Sequence, residues 1–473
     1  MKVVQANRNF NLITDTLDVD LKVRDSLSFN LNMIVNGRDE VFMTPMAKEN
    51  TPELLIREFD KVFNSGRSKL NETLLGLEMS NKDKFGPRSI AVPWTERKES
   101  LISSFDKKLI YKGDGFTSLR GNNMLRPISK TNAVKLLKNN TNSGLPYYTK
   151  KGLIKERVLN KFDILLKRKD PCVLFTRTQE QRKTRNVWGY PVADTLNEMC
   201  YYSPLLEYQK KLSYRAALIS PDEVSRRVTS LITKAVARNH ILQSIDFTSF
   251  DTTVNLKLQS SAFDYIKSLF QREYASDIDY ISDRFGSIGI LTPDGVLSGH
   301  HGIPTGSTFT NEVGSIVQSG IALGLDFIKE DCLQVQGDDG VYLLPEDKVN
   351  ELRERFTDSG PIVNGEKSVL ARTYAIYLQN LYHLDYMKDG LIGGIYPIYR
   401  ALNRIVYQER WSDFEEYGIT GKDYYSIRTI CIVENCKYHP LFSELVKFVL
   451  KYDKYSLSFS DQGLASYVQM ISS

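Results

Sequence analysis

The pattern of apolar and polar residues over residues 333–344 predicts a β-hairpin. Two apolar arms, Leu-Gln-Val-Gln and Val-Tyr-Leu-Leu, meet at a Gly-Asp-Asp-Gly tip. We expect Gly337 and Gly340 to supply the positive φ or tight geometry of a two-residue connection, which places Asp338 and Asp339 at the apex. A divalent cation could reach them there. Asp and Gly are also the usual residues of plain surface turns, so the hairpin alone indicates no chemistry.

A second apolar stretch, residues 241–247, predicts a buried strand that ends in carboxylates. If this strand lies beside the hairpin, Asp246 and Asp338 converge on one point. They would then offer the hard oxygen ligands that Mg²⁺ prefers, completed by nucleotide phosphates.

Three further segments have helical spacing. One covers residues 51–63, with Thr51 as N-cap. Another covers residues 255–274, and the third opens at residues 345–347 and ends before residues 359–361. The resulting alternation of strand, helix and strand predicts helices packed on one face of a sheet.

Residues 298–311 form a Gly- and hydroxyl-rich loop between the two acidic elements, and an apolar-periodic helix follows it. Such a loop offers backbone N–H groups and hydroxyls to a nucleotide or a template.

The composition is that of a soluble globular protein, with 41% apolar and 25% charged residues over 473 positions. This length predicts several subdomains. The net charge is only +5, yet residues 150–185 hold twelve Lys or Arg against four Asp or Glu. This local basicity fits a phosphate-facing surface, and a solvated charged face is the alternative.

Five cysteines without metal-ligand spacing favour a reducing compartment, and the adjacent His300 and His301 do not suggest a zinc site. The N-terminus lacks the apolar core of a signal peptide, and no run approaches the roughly 20 apolar residues of a spanning helix. We expect a soluble protein.

The order of acidic strand, Gly-rich loop with helix, and acidic hairpin resembles motifs A, B and C of viral RNA-dependent RNA polymerases. Residues 141–151 and 183–191 look like motifs G and F of the same enzymes. Together with residues 302–311, they are most similar to picobirnavirus polymerases, with partitivirus polymerases next. The resemblance covers residues 140–385.

This resemblance implies an α+β fold of the right-hand polymerase type, with fingers, palm and thumb and an antiparallel palm sheet packed on helices. The implied divisions are an N-terminal region bridging fingers and thumb (1–90), fingers carrying motifs G and F (91–235), a palm with motifs A to E (236–385) and a helical thumb (386–473). A palm segment is expected near 190–215 and a fingers insertion near 275–300.

The resemblance also implies the roles of single residues. Two Mg²⁺ or Mn²⁺ ions would be held by Asp246, Asp338 and Asp339. Lys367, which lies 28 residues after Asp339, matches the motif D lysine that acts as a general acid, and residues 374–379 match the motif E strand. The implied nucleotide-binding residues are Asp251, Thr305, Gly306, Thr310, Asn311, Arg177, Arg182, Lys183 and Arg185. The implied template-binding residues are Ser143, Gly144 and Pro146.

One position departs from the common motif B, in which an Asn that helps to read the ribose 2′-OH stands nine residues after the motif's first Ser. Thr305 takes the place of that Ser, the ninth position is Gly314, and the nearest Asn is Asn311. Asn311 and Gly314 are neighbours on a helix, so Asn311 either reaches the same ribose or faces elsewhere. Asp251 also has two readings: it senses the ribose, or it caps a helix that begins near Thr252.

The implied activity is template-directed RNA synthesis from NTPs, replicating and transcribing a double-stranded, segmented RNA genome. Expected partners are RNA, NTPs and a viral capsid protein, and the expected location is the virion interior and the host cytoplasm. One alternative is a reverse transcriptase-like polymerase, although Asp251 stands where such enzymes usually place a bulky aromatic. The other is a catalytically silent, capsid-associated RNA-binding protein, against which the three aspartates argue.

Overall fold

The computed structural model describes residues 8–472 of the chain. Its first part is mainly helical, with α1 Asn11–Thr14, α2 Leu21–Asn36, α3 Pro45–Asn50, α4 Pro52–Gly66, α5 Glu72–Lys82, α6 Trp94–Ile102, α7 Lys107–Ile110, α8 Lys130–Ala133, α9 Lys155–Asn160 and α10 Phe162–Lys167.

Strands and helices then alternate: β1 Cys172–Thr178, β2 Thr184–Gly189, α11 Val192–Gln209, α12 Pro221–Arg238, β3 Ile241–Ile245, β4 Phe247–Thr248, α13 Phe250–Thr253, α14 Leu256–Leu269, α15 Ala275–Ser287, β5 Ile290–Thr292, β6 Gly295–Leu297, α16 Thr310–Ala322, β7 Leu333–Gln336, β8 Asp339–Leu344, α17 Val349–Ser359, β9 Ile362–Val363 and β10 Val369–Ala371. Two short hairpins and four helices complete the described part of the chain: β11 Tyr374–Tyr377, β12 Asn380–His383, β13 Met387–Lys388, β14 Leu391–Ile392, α18 Ile398–Val406, α19 Gly421–Glu434, α20 Phe442–Tyr452 and α21 Asp461–Ser472.

Local sequence signals account for the three helices predicted from spacing. The Thr51 hydroxyl accepts the Leu54 N–H at 3.3 Å and starts α4. Asn255 caps α14 in the same way, but this helix ends at Leu269, earlier than the predicted end at residue 274, because Phe270 is extended. The third helix, α17, ends before Gly360, whose φ of 133° few other residues adopt.

The central sheet has the strand order β10-β3-β8-β7, and every neighbouring pair is antiparallel. This confirms the predicted antiparallel sheet. Helices cover both of its faces, however, so the expectation of one covered face is wrong. Ile245 and Tyr342 belong to the core with α16 and α17, whereas Leu242 and Val341 belong to the core with α12. Successive strand residues point to opposite faces, and here both kinds of position are apolar.

A second sheet, in the order β2-β1-β5-β6, contains the end of the basic segment, from residue 172 onward. Its strands β1 and β2 are antiparallel, and β5 joins β1 in parallel through Cys172 and Ile290. Strands β5 and β6 therefore complete a sheet that begins more than a hundred residues earlier. These two strands lie within the segment near 275–300 that was expected to be a fingers insertion.

The N-terminal helices pack against distant parts of the chain. Val23 and Leu27 of α2 lie in a core with Val173 of β1. Phe59 of α4 instead packs edge-on against Tyr399 of α18 and Phe448 of α20, with ring centroids 5.2 and 5.0 Å apart. These contacts are of the kind that a bridging N-terminal region would make.

The aromatic residues of the last helices mostly fill cores. Phe414 stacks on Tyr424 at 4.5 Å in a cluster of buried rings. All five cysteines are free thiols, and only Cys431 is exposed. Between residues 8 and 472, no helix combines the length and the apolar character needed to cross a membrane.

Candidate active site

The turn between β7 and β8 is a two-residue turn. Gln336 pairs with Asp339, which leaves Gly337 and Asp338 as the connecting residues. Gly337 has a φ of 61°, and a positive φ at only the first turn residue is the pattern of a type II′ turn. Asp338 is exposed at the apex, whereas Asp339 is a half-buried strand residue. The prediction that both aspartates stand at the apex is therefore wrong for Asp339.

Gly340 is required for a different reason from the one predicted. It lies within β8, pairs with Ile245 and has no positive φ. A Cβ added there would lie 2.4 Å from Gln318 Oε1 and 2.9 Å from the Tyr342 hydroxyl. Close packing of the strand against α16, rather than turn geometry, explains this glycine.

Asp246 follows β3 at the same end of the sheet. Because Ile245 pairs with Gly340, Asp246 and Asp339 are the next residues outward on adjacent strands. The backbone of Asp246 is held from the other side, where its N–H donates to Ser368 Oγ at 3.1 Å and its carbonyl accepts the Asn364 N–H at 2.8 Å. The predicted convergence of the acidic strand and the acidic hairpin is confirmed.

The carboxylates at this edge repel one another. Burial and the charges of Asp338 and Asp246 raise the pKa of Asp339 to about 7. Burial and Asp338 also raise the pKa of Asp246, which Lys367 and Lys183 oppose. Burial and Asp338 raise the pKa of Asp251 to about 6. Bound cations would relieve this repulsion.

The residues present fit a hard divalent cation that takes some of its ligands from water or from the substrate. In the described part of the chain, no group of three or more His, Cys, Asp or Glu side chains forms a metal site on its own. Asp246 and Asp338 are exposed carboxylates, so their oxygens are accessible. Mg²⁺ is typically bound through one or two carboxylates together with waters and substrate phosphates, which this arrangement suits.

Two basic side chains at the start of β2 act on the carboxylates, Lys183 on Asp246 and Arg185 on Asp251. Arg177 and Arg185 are directly opposite each other on β1 and β2. Burial, Arg185 and Lys367 lower the pKa of Lys183, while Asp246 raises it. Lys183, Arg185 and Lys367 thus share one electrostatic neighbourhood beside Asp246. Like charges held together in this way favour an anionic ligand.

Two of the predicted basic residues stand apart from this group. Arg177 donates from Nε to Glu409 Oε1 at 3.1 Å, so part of its charge is already paired. Arg182 lies in the exposed turn between β1 and β2 with a φ of 58°.

The structure decides against the capping interpretation of Asp251. The helix here, α13, begins at Phe250, and α14 is capped by Asn255. Among the described residues, no donor bonds to the Asp251 carboxylate, while its backbone carbonyl accepts the Ile303 N–H at 2.7 Å. This bond ties α13 to the Gly-rich loop and leaves the half-buried carboxylate available for a ligand.

The Gly-rich loop is pressed against the end of β2. The Trp188 N–H donates to Thr305 Oγ1 at 3.3 Å, and a Cβ on Gly306 would lie 1.5 Å from the Trp188 carbonyl oxygen. Thr310 donates from its hydroxyl to the Pro304 carbonyl at 2.6 Å. Thr310 therefore closes the loop internally, and Thr305 is the exposed hydroxyl.

A glutamate that the sequence analysis did not identify holds this loop. Glu198 of α11 is buried and accepts the Ser307 hydroxyl at 2.8 Å and the Thr308 N–H at 2.7 Å. Burial raises its pKa to about 8, although both hydrogen bonds oppose the shift. One glutamate in an otherwise ordinary helix carries no spacing signal, so only its contacts identify it.

The structure explains the departure in motif B. A Cβ on Gly314 would lie 3.2 Å from Phe250 Cε1 and 3.4 Å from the Gly337 carbonyl oxygen, which leaves little room for an asparagine. Asn311 instead places its Oδ1 2.9 Å from the position that a Cβ on Gly337 would take. Asn311 thus faces the acidic turn.

The loop predicted to bind template is rigidly built. Ser143 is fully buried, and its hydroxyl donates to the Gly144 carbonyl at 3.1 Å and accepts the Thr149 N–H at 3.1 Å. Gly144 has a φ of 59°, and a Cβ there would lie 2.4 Å from the Tyr190 carbonyl oxygen. Pro146 is partly exposed. Ser143 therefore shapes the loop, and Pro146 is the accessible residue of the three.

Comparison with known proteins gives a consistent result. The family model described as viral RNA-dependent RNA polymerase matches residues 80–390. A potential RNA-dependent RNA polymerase of human picobirnavirus (strain Human/Thailand/Hy005102/-) is 28% identical, over 91% of this chain and 85% of that protein. An RNA-directed RNA polymerase of Cryptosporidium parvum virus 1 (strain KSU-1) is 27% identical, over 41% of this chain and 40% of that protein.

Solved structures are similar over nearly the whole chain. The crystal structure of a human picobirnavirus RNA-dependent RNA polymerase has a TM-score of 0.80 at 26% identity, covering 96% of this chain and 91% of that one. An insertion-loop deletion mutant of such a polymerase has a TM-score of 0.81 at 27% identity, covering 94% and 93%.

Proposed function

This chain belongs to the viral RNA-dependent RNA polymerases, and we propose that Asp246, Asp338 and Asp339 form its catalytic centre. The enzyme copies an RNA template from NTPs and has the right-hand fold. The observation that carries the proposal is the pairing of Ile245 with Gly340, which aligns Asp246 with the acidic turn.

The family depends on divalent metal ions, and the proposed ligands here are the three aspartates, for two Mg²⁺ or Mn²⁺ ions. Two such ions, when bound, supply an activated primer 3′-hydroxyl and charge compensation for the triphosphate and the departing pyrophosphate. The chain's own contribution is then positioning and charge.

Basic residues would bind the triphosphate opposite the carboxylates. Lys183 and Arg185 have the most direct support, because both interact electrostatically with the site aspartates. Arg182 and Arg177 would extend this surface. Lys367 would donate a proton to the departing pyrophosphate. Thr305, Gly306, Thr310 and Asn311 would line the nucleotide and template side, and Ser143, Gly144 and Pro146 would guide the template.

The expected subdomain boundaries belong to the same proposal: N-terminal bridge to 90, fingers to 235, palm to 385 and thumb to 473. The packing of α2 on β1 and of α4 on α18 and α20 supports the first division.

We also propose that the enzyme acts on a segmented double-stranded genome in the virion interior and host cytoplasm, with capsid protein as partner. Its viral relatives support this part, and cross-linking in purified particles would test it.

Incorporation of labelled NTPs on an RNA template tests the catalytic assignment. We expect Asp246→Ala and Asp338→Ala to abolish synthesis while RNA binding largely persists, because the basic surface is untouched. Asp347→Ala removes an exposed carboxylate a short distance along the chain and should leave activity unchanged. Synthesis above a few per cent in either folded site variant would remove these aspartates from the centre.

A further inference from the structure

Helix α16 carries a buried polar face in addition to its apolar one. Glu312, Ser315 and Gln318 recur every three residues and are all completely buried. Residues at this spacing lie on one side of a helix. Burying polar side chains costs free energy unless they are hydrogen-bonded, so their partners indicate what this face is for.

The partners of Ser315 and Gln318 belong to the acidic turn. The Gly337 N–H donates to Ser315 Oγ at 2.7 Å, and Gln318 Nε2 donates to the Gly337 carbonyl at 2.7 Å. Gln318 Oε1 in turn accepts the Tyr342 hydroxyl at 2.6 Å. Both backbone polar groups of the residue immediately before Asp338 are thus bound by α16.

The strand end before the turn is held from the same helix. Glu312 forms a buried, bidentate pair with Arg215, with N···O distances of 2.7 and 2.9 Å. Arg215 also donates to Gln336 Oε1 at 3.3 Å. Charge-assisted bidentate pairs fix geometry more strongly than neutral hydrogen bonds.

The Asp338 carboxylate itself has no such support. Across residues 8–472, it takes part in no hydrogen bond and no ion pair, and the side chain is exposed. Because a glycine adopts many backbone conformations, rotation of the peptides around Gly337 would redirect Asp338. The bonds from α16 oppose that rotation.

We propose that Ser315 and Gln318 are positioning residues that fix the Gly337 peptides, and thereby hold the Asp338 carboxylate where it binds a divalent cation. The inference rests on the proposed function of Asp338. It assigns to the helix after the Gly-rich loop a role in shaping the acidic turn, separate from any contact with the nucleotide.

Two serines of the same helix provide a matched test. Ser315 and Ser319 are both buried, but the Ser319 hydroxyl donates to the Ser315 and Ile316 carbonyls and does not reach the turn. Ser315→Ala and Ser319→Ala in the full chain would be compared by direct Mn²⁺ titration, followed by electron paramagnetic resonance, and by single-turnover rate against Mg²⁺ concentration. Thermal unfolding reports the structural cost of each change.

We expect Ser315→Ala to weaken Mn²⁺ binding and to raise the Mg²⁺ concentration for half-maximal rate about tenfold, with the rate recovering at high metal, since an unpaired Gly337 N–H loosens the turn. Ser319→Ala should match the wild type in both titrations. Gln318→Met, which keeps the volume but loses both bonds, should act like Ser315→Ala.

The outcomes separate the two proposals. Equal Mn²⁺ affinity in Ser315→Ala, Ser319→Ala and the wild type would overturn the positioning role if Asp338→Ala is inactive, and the catalytic centre would stand. Activity in Asp338→Ala would overturn both. If Gln318→Met does not fold, the serine pair decides alone.

Discussion

At the proposed active site, the half-buried Asp251 is the residue best placed to sense the sugar. Its carboxylate accepts no hydrogen bond from any described residue, yet Asp338 and Arg185 both act on its pKa. A half-buried acceptor without a partner gains from a ligand donor such as a ribose 2′-OH.

We therefore predict that Asp251→Ala lowers the efficiency ratio of NTP to dNTP use roughly ten- to hundredfold. A direct or relayed hydrogen bond to the 2′-OH is lost, at a cost of about 1 to 3 kcal/mol. Steady-state incorporation of matched NTP and dNTP measures the ratio, with thermal unfolding as control. An unchanged ratio would exclude the sensing role, and the same measurement on Asn311→Ala shows whether that residue takes part.

Lys367 is an exposed lysine whose charge acts on Asp246 and Lys183. If it protonates the pyrophosphate, Lys367→Leu should slow the single-turnover rate by about 10²-fold and leave nucleotide affinity nearly intact. Lys388→Leu removes another exposed lysine and should have no effect. Wild-type single-turnover rates in Lys367→Leu would identify it as a solvated loop lysine.

Between elements, the contact of α11 with the Gly-rich loop depends on one buried carboxylate. Glu198 binds Ser307 and Thr308, and burial raises its pKa from 4.5 to about 8. Because the folded state holds this proton more tightly than the unfolded state, the stability that protonated Glu198 contributes is fully present below about pH 4.5. It is lost as the pH rises through about 8.

Glu198→Gln should remove this pH dependence. Between pH 5 and pH 9 we expect the unfolding temperature of the wild type to fall by a few degrees relative to that of the variant, since each pKa unit corresponds to about 1.4 kcal/mol. Glu207→Gln, at an exposed position of the same helix, should follow the wild type at both pH values. Parallel curves for wild type and Glu198→Gln would show that the carboxylate does not titrate in this range.

Across the whole molecule, Glu409 joins three regions that are far apart in sequence. Its carboxylate pairs with Arg177 at 3.1 Å and Arg88 at 3.6 Å. Its backbone carbonyl accepts the Thr178 hydroxyl at 3.2 Å and Arg38 Nη2 at 3.4 Å. This residue of the proposed thumb therefore links the thumb to β1 of the second sheet and to the N-terminal region.

We predict that Glu409→Ala shortens the lifetime of the RNA complex about two- to fivefold, the effect of losing partly exposed ion pairs. The difference should shrink as ionic strength rises, because salt screens these pairs. Filter-binding dissociation rates of wild type, Glu409→Ala and the exposed-site control Glu434→Ala would measure it. A lifetime equal to that of the control would show that closure does not depend on Glu409.

The local elements and their chemistry could be predicted from neighbouring residues alone. Several features depend only on neighbours within a few residues: the acidic hairpin, the strand before Asp246, the helix starts at Thr51 and Asn255, and the basic segment. Propensity, capping and charge act over that range. The order of these elements was sufficient to indicate the polymerase family.

Which distant groups meet depends on how the whole chain folds. The pairing of Ile245 with Gly340, the packing that requires Gly314 and Gly340, and the contacts of Glu198 and Glu409 join residues that lie tens or hundreds of positions apart. Local spacing cannot specify such partners. A buried polar residue such as Gln318 cannot be told from an exposed one in the sequence. Its hydrogen bonds in the folded chain offset the free-energy cost of burying it.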